Sequence, residues 1–195
     1  MSLIHTQTPT ELFTELVAEA VDHQNVRTSP GSTAYLVELL ATFVRPDNLY
    51  ARAEIAPDQP LAEIYLTAVG ADGMRRFTLF KLSGDLALFI SGFFSDSLRR
   101  QTVDVDYYGT LGGRAYATVA VSCHSPEQAT LFEELATKFW RFVDVLSEVS
   151  ESCGLTDSAD MLRLYERWLK SGSRRCAARL RQLGAPLTRS SDEIH

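Results

Sequence analysis

Apolar residues recur three and four positions apart along almost the whole of this 195-residue chain. That spacing places them on one face of an α-helix, whereas a half-buried strand would need strict alternation. The most apolar run without charge, residues 86–95, is far shorter than the roughly 20 residues that cross a bilayer. The pattern therefore predicts an all-α fold, a single-domain bundle of about seven to nine helices with no substantial sheet and no membrane insertion.

The predicted helical domain covers residues 1–184, and residues 185–195 are expected to form a flexible C-terminal tail. A chain of this length buries roughly 70% of the surface that its unfolded form exposes, so it needs neither disulfides nor a structural metal. The three cysteines lie far apart, and the N-terminus lacks the basic and apolar regions of a signal peptide. We therefore expect a cytoplasmic protein.

Residues 8–11 and 125–128 carry the strongest helix-start signals. Each segment has a serine or threonine, then a proline, and a glutamate or glutamine three residues after the first, which is the pattern of a capped N-terminus. The second start predicts one long helix over about residues 126–152. Within the apolar stretch 74–99, Ser83-Gly84-Asp85 resembles an interruption, so two helices or one bent helix are expected there.

Small residues are concentrated in the helix predicted over about residues 105–123. Gly109, Gly113, Ala117 and Ala120 follow helical spacing and would form one flat face. A flat face lets another backbone approach closely, which accounts for glycines inside a helix. A glycine-lined ligand slot is the alternative.

Motifs of known catalytic and cofactor sites are missing from the sequence. It has no nucleophile elbow, no phosphate-binding loop and no dinucleotide fingerprint, and its four histidines lack the Glu-x-x-His spacing of a di-iron bundle. We expect no catalytic residue, metal or other cofactor, which favours a non-enzymatic protein. The best remaining group for acid–base chemistry or cation binding consists of three aspartates and two tyrosines. The alternative is a helix start whose acids favour the helix dipole. The group comprises Asp104, Asp106 and Asp85, with Tyr107 and Tyr108.

Charge is divided unevenly along the chain, whose net charge is −6. Residues 1–160 hold 11 basic and 22 acidic side chains, and residues 161–195 hold 8 basic and 3 acidic ones. Three interpretations of the basic end are open. It packs on the acidic body or is solvated, it contacts an acidic protein partner, or it binds nucleic acid. Nucleic acid is disfavoured because the acidic body would repel phosphate. The candidate partner-binding residues are Arg167, Lys170, Arg174, Arg175 and Arg179.

Two functions of different class follow from these observations. The first is a non-enzymatic helical interaction or adaptor protein that self-associates and whose basic end contacts an acidic partner. The second is a sensor or carrier of a lipid or other hydrophobic small molecule, with a pocket lined by the Phe-rich segment 77–94. The candidate pocket residues are Phe80, Phe89, Phe93, Tyr108 and Gly113.

Four stretches carry a resemblance to a known family: residues 82–94, 103–108, 112–116 and 164–170. Together they resemble a family of bacterial hypothetical proteins over about residues 80–183. The resemblance implies a bacterial, cytoplasmic origin. That family has no assigned activity, so the resemblance carries no functional residue across.

Overall fold

The computed structural model describes residues 8–43, 53–55, 59–93 and 105–153, and within these ranges the chain is all-α, as predicted. The helices of this part of the chain are α1 Pro9–His23, α2 Pro30–Phe43, α3 Leu61–Gly70, α4 Gly73–Phe93, α5 Val105–Ser122, α6 Pro126–Thr137 and α7 Phe139–Ser152.

The two predicted helix starts are both confirmed. At α1 the backbone N–H of Glu11 donates to Thr8 Oγ1 at 3.3 Å, and the N–H of Thr8 donates back to the Glu11 carboxylate at 2.8 Å. At α6 the N–H of Gln128 donates to the Ser125 hydroxyl at 3.5 Å. These bonds satisfy amide groups that the first turn of a helix leaves without partners.

Helix α4 lies at the centre of the packing. It contacts α2, α3, α5 and α7, while α1 packs against α2 and α7, and α6 packs against α5. Because α4 is surrounded, its buried residues run without a break from position 82 to position 88. An apolar and small-residue composition on all sides is what an enclosed stretch of helix requires.

Two boundary predictions need correction. Of the two alternatives for residues 74–99, the break into two helices at Ser83-Gly84-Asp85 is wrong, because α4 runs through these residues as one helix of 21 residues. The predicted long helix over 126–152 is divided at Lys138, which ends α6 and precedes α7. The Lys138 ammonium group donates to the Arg27 carbonyl and to the Glu134 carboxylate, so this break accompanies contacts that an apolar pattern does not reveal.

The tight face of α5 also differs from the predicted one. A Cβ on Gly112 would lie 2.5 Å from the Phe139 ring, and one on Gly109 would overlap the Trp140 ring. At Gly113 the nearest atom would be at an ordinary 3.6 Å, and Ala117 is exposed. The close approach to α7 therefore runs through Gly109 and Gly112.

Candidate functional site

Asp85 is a charged residue buried in the centre of the bundle, with 2% of its surface exposed. The hydroxyls of Tyr35 and Tyr116 donate to its Oδ1 at 2.6 Å and 2.8 Å. The Lys81 ammonium group donates to Oδ2 at 2.8 Å. We call these four residues the Asp85 cluster.

Three helices bring the Asp85 cluster together. Tyr35 comes from α2 and Tyr116 from α5, while Lys81 and Asp85 lie one turn apart on α4, where side chains four positions apart meet. Gly84 lies beside Asp85, and a Cβ there would lie 2.6 Å from the Tyr116 ring. Because Gly84 has no side chain, the Tyr116 ring packs directly on α4 and its hydroxyl reaches the Asp85 carboxylate.

The electrostatics of the Asp85 cluster keep the tyrosines protonated. Burial raises the pKa of Tyr35 and of Tyr116 well above the usual value of 10, and the neighbouring Asp85 carboxylate raises it further. Lys81 balances the carboxylate charge and also lies 5.0 Å from the centre of the Tyr35 ring. The tyrosine protons are thus held as hydrogen-bond donors to Asp85, and the arrangement ties α2, α4 and α5 together.

The acidic group considered for chemistry is not gathered into one site. Asp85 points into the Asp85 cluster, whereas Asp106 is exposed in the first turn of α5. Asp106 lies ten residues before Tyr116, which is about 15 Å along the helix axis. Tyr107 and Tyr108 pack edge-on against each other. Asp104 lies outside the described residues.

Glu134 forms a second polar cluster, between α6 and the start of α2. Its carboxylate accepts from the Ser29 N–H at 3.1 Å, the Ser32 hydroxyl at 2.8 Å and the Lys138 ammonium group at 2.9 Å. Burial alone would raise the pKa of Glu134, but hydrogen bonds from Ser29, Lys138 and Ser32 outweigh it and lower the pKa to about 2. Glu134 therefore caps α2 from another helix.

Replacing Glu134 with glutamine should make the free energy of unfolding less dependent on pH in the acidic range. Folding lowers the pKa of Glu134 below its ordinary value of 4.5. The ionised carboxylate therefore stabilises the fold fully when the pH is above 4.5, and this contribution is lost as the pH falls towards about 2. We expect Glu134→Gln to cost about 1–2 kcal/mol near neutral pH and much less near pH ~2.5. Urea unfolding at both pH values measures this. The exposed neighbour substitution Glu133→Gln is the control, and equal losses at both pH values would contradict the prediction.

The candidate pocket residues occupy different places. Phe80 is buried near α3, where it meets the Tyr65 ring edge-on, whereas Phe89 and Phe93 stack on each other near the end of α4. Phe80 and Phe93 are 13 residues apart, which is about 20 Å along the helix. Tyr108 and Gly113 are half-buried on α5, with Gly113 facing α6 at the Ala136 carbonyl. The structure thus brings Phe89 and Phe93 together and leaves Phe80 apart.

At the α3–α4 corner, residues 61–78, the sequence predicted a short helix and its end near Gly70, but no interaction site. Gly73 starts α4 with a φ of 56°, a backbone conformation that glycine adopts without strain. The Arg76 guanidinium donates to the Val69 carbonyl at 2.9 Å and lies 4.9 Å from the centre of the Phe80 ring. Arg76 therefore caps the end of α3 and holds the two helices in a fixed relation.

Large apolar side chains are exposed on this fixed corner. The exposed fractions are 68% for Leu66, 52% for Val69 and 76% for Met74. Leu66 and Val69 fall outside the buried stripe of α3, which includes Ile64 and Ala68. Apolar residues at these positions of the helical period were the sequence signal that could have indicated an exposed apolar surface. Three large apolar residues are thus exposed within one short segment, and exposed apolar patches are typical of interaction surfaces.

The five basic candidate residues, Arg167 to Arg179, lie outside the described residues, so their role in partner binding stays a prediction.

Comparisons with protein-family models, curated proteins and solved structures found no match to this chain. In the described ranges, no three histidine, cysteine or acidic side chains are grouped so that they could hold a metal ion. None of the helices in those ranges has both the length and the apolar character needed to cross a membrane.

Proposed function

We propose that this chain is a non-enzymatic helical interaction protein that associates with protein chains, its own copies included. The observation that carries the proposal is the α3–α4 corner, where Leu66, Val69 and Met74 are exposed on two helices that Arg76 holds together. A rigid surface loses little conformational freedom on binding, so more of its contact energy appears as affinity.

The interior supports the same proposal. Both carboxylate oxygens of Asp85 already accept hydrogen bonds, and the Glu134 carboxylate accepts from three different residues. These acids are engaged in joining helices, which is a structural task. In this account the polar interior stabilises the body that presents the corner.

The basic end of the chain supplies the second contact in this proposal. Residues 161–195 carry 8 basic and 3 acidic side chains, and positive charge of this density attracts an acidic protein surface. The contribution of these residues would weaken as salt rises, whereas the contribution of the apolar corner would not.

Replacing the corner residues Leu66 and Met74 together with glutamine should reduce association strongly. Truncating exposed apolar anchors at the centre of an interface costs about 2 kcal/mol or more, which is roughly a thirtyfold loss of affinity. The measurement is quantitative capture of protein partners by the immobilised full chain and by Leu66→Gln/Met74→Gln.

The matched control is Leu12→Gln, which removes an apolar side chain that is 39% exposed on α1, a helix that packs against α2 and α7. We expect this variant to capture the same proteins as the unmodified chain. Equal capture by all three chains would remove the proposal.

A hydrophobic-ligand carrier is the second candidate function. The rings of Phe43 and Phe89 stack with their centres 4.1 Å apart, and Phe93 continues the stack, with Phe89 and Phe93 half-buried. Such an aromatic face suits an apolar ligand. Native mass spectrometry distinguishes this candidate, because a carrier would show added mass that denaturation removes.

A further inference from the structure

We propose that the α3–α4 corner is a two-fold interface between two copies of this chain. The inference rests on the proposed function and names the partner of the same surface. In a two-fold contact the same patch serves both copies, so the patch must be complementary to itself in shape and charge. The corner meets the charge requirement.

The centre of the proposed contact is apolar and adaptable. Met74 is the most exposed of the three corner side chains, and Leu66 follows closely. An unbranched methionine adjusts its shape to a second copy of itself, which suits a position near a two-fold axis. Around such a centre, a stable interface needs about 800 Å² from each partner, so a polar rim must contribute as well.

The rim contains an arginine in an unfavourable place. Arg75 is exposed in the first turn of α4, where the helix dipole disfavours a positive charge, and no acidic residue occupies that turn. Arg76 beside it is engaged with the Val69 carbonyl and the Phe80 ring. Arg75 forms no ion pair with any of the described residues, so a carboxylate from outside would stabilise it.

The same rim provides the carboxylates. Asp72 directly precedes α4, and Glu63 lies in the first turn of α3, one turn before Leu66. Both are exposed, and neither forms an ion pair within the described part of the chain. In the proposed dimer, the acids of the second copy face Arg75 and its arginine faces Asp72.

This charge pattern favours a second copy over an unrelated partner. A partner that is only acidic would meet Asp72 and Glu63, and one that is only basic would meet Arg75. A surface that carries both signs around an apolar centre can be complementary to itself, because each copy supplies both the arginine and the acids.

The test is a charge exchange measured by sedimentation velocity of the purified full chain. The unmodified chain should form a dimer reversibly as concentration rises. Arg75→Glu places acid against acid twice in the dimer, and Asp72→Arg places arginine against arginine twice. Each variant alone should dimerise at least about tenfold more weakly. An equimolar mixture of the two variants should form a mixed dimer, because both contacts then join opposite charges.

Arg114→Glu is the control, since Arg114 is also exposed but lies on α5. It should dimerise like the unmodified chain. Formation of the mixed dimer also shows that both variants are folded. A monomer at all concentrations, or a dimer that ignores the charge exchange, would overturn the inference. If partner capture still depends on Leu66 and Met74 in that case, the proposed function stands and the corner serves a different protein.

Discussion

Replacing Asp85 with alanine is expected to lower the free energy of unfolding by about 3–5 kcal/mol. The substitution leaves the hydroxyl of Tyr116, which is fully buried, without its acceptor, and removes the acceptor of Tyr35 as well. A buried donor that loses its partner costs about 1–3 kcal/mol. The Lys81 charge also loses its partner beside the core. Urea unfolding followed by circular dichroism gives the free energy.

Two further variants identify the cause of that loss. Asp85→Asn keeps an oxygen that both tyrosines can reach, so it should cost clearly less than Asp85→Ala. Glu38→Ala removes an exposed acid from α2 and should change stability by less than about 0.5 kcal/mol. If Asp85→Ala were as mild as Glu38→Ala, the Asp85 cluster would not hold the three helices together.

Replacing Gly112 with alanine is the second change with a large expected effect. The new Cβ would lie 2.5 Å from the Phe139 ring on α7 and 2.7 Å from Ala87 Cβ on α4. Both neighbours are buried, so three helices must separate to admit one methyl group. We expect a net loss of about 1–3 kcal/mol, even though alanine is the better helix former.

The adjacent glycine provides the matched control. At Gly113 a Cβ would meet its nearest atom, the Ala136 carbonyl oxygen, at 3.6 Å. Gly113→Ala should therefore raise stability by up to about 1 kcal/mol through helix propensity alone. Opposite signs at neighbouring positions, measured by the same urea unfolding, support the packing described for α5. A gain at both positions would contradict it.

Much of the fold could be predicted because helix formation depends on local signals. The period of the apolar residues predicted an all-α chain, and the start signals at Thr8 and Ser125 were correct to the residue. Proline and the capping side chain act within one turn, so their effect is visible in a few adjacent letters.

The errors arose where a distant contact overrides a local preference. Gly84 weakens a helix on its own, yet here it admits the Tyr116 ring, and α4 continues through it. Lys138 looked like one more position in a long helix, but its side chain reaches the Arg27 carbonyl. Local propensity is a weak guide at such positions, because tertiary packing decides them.

The candidate sites show the same division. The pairing of Lys81 with Asp85 follows helical spacing and could have been expected, whereas the two tyrosines come from 50 residues before Asp85 and 31 residues after it. The sequence shows that Leu66 and Met74 are apolar, but their exposure depends on how α3 and α4 are arranged in the fold. An interaction surface is defined by what the fold leaves uncovered.

The most direct test of the α3–α4 corner is hydrogen–deuterium exchange of the full chain, compared between dilute and associated states. We expect slower exchange on association for amides in residues 61–78, where the exposed apolar residues lie. We expect no change around Leu12, which is also apolar and exposed but lies on α1. Unchanged exchange at the corner, with slowing elsewhere, would show that the chain associates through a different surface.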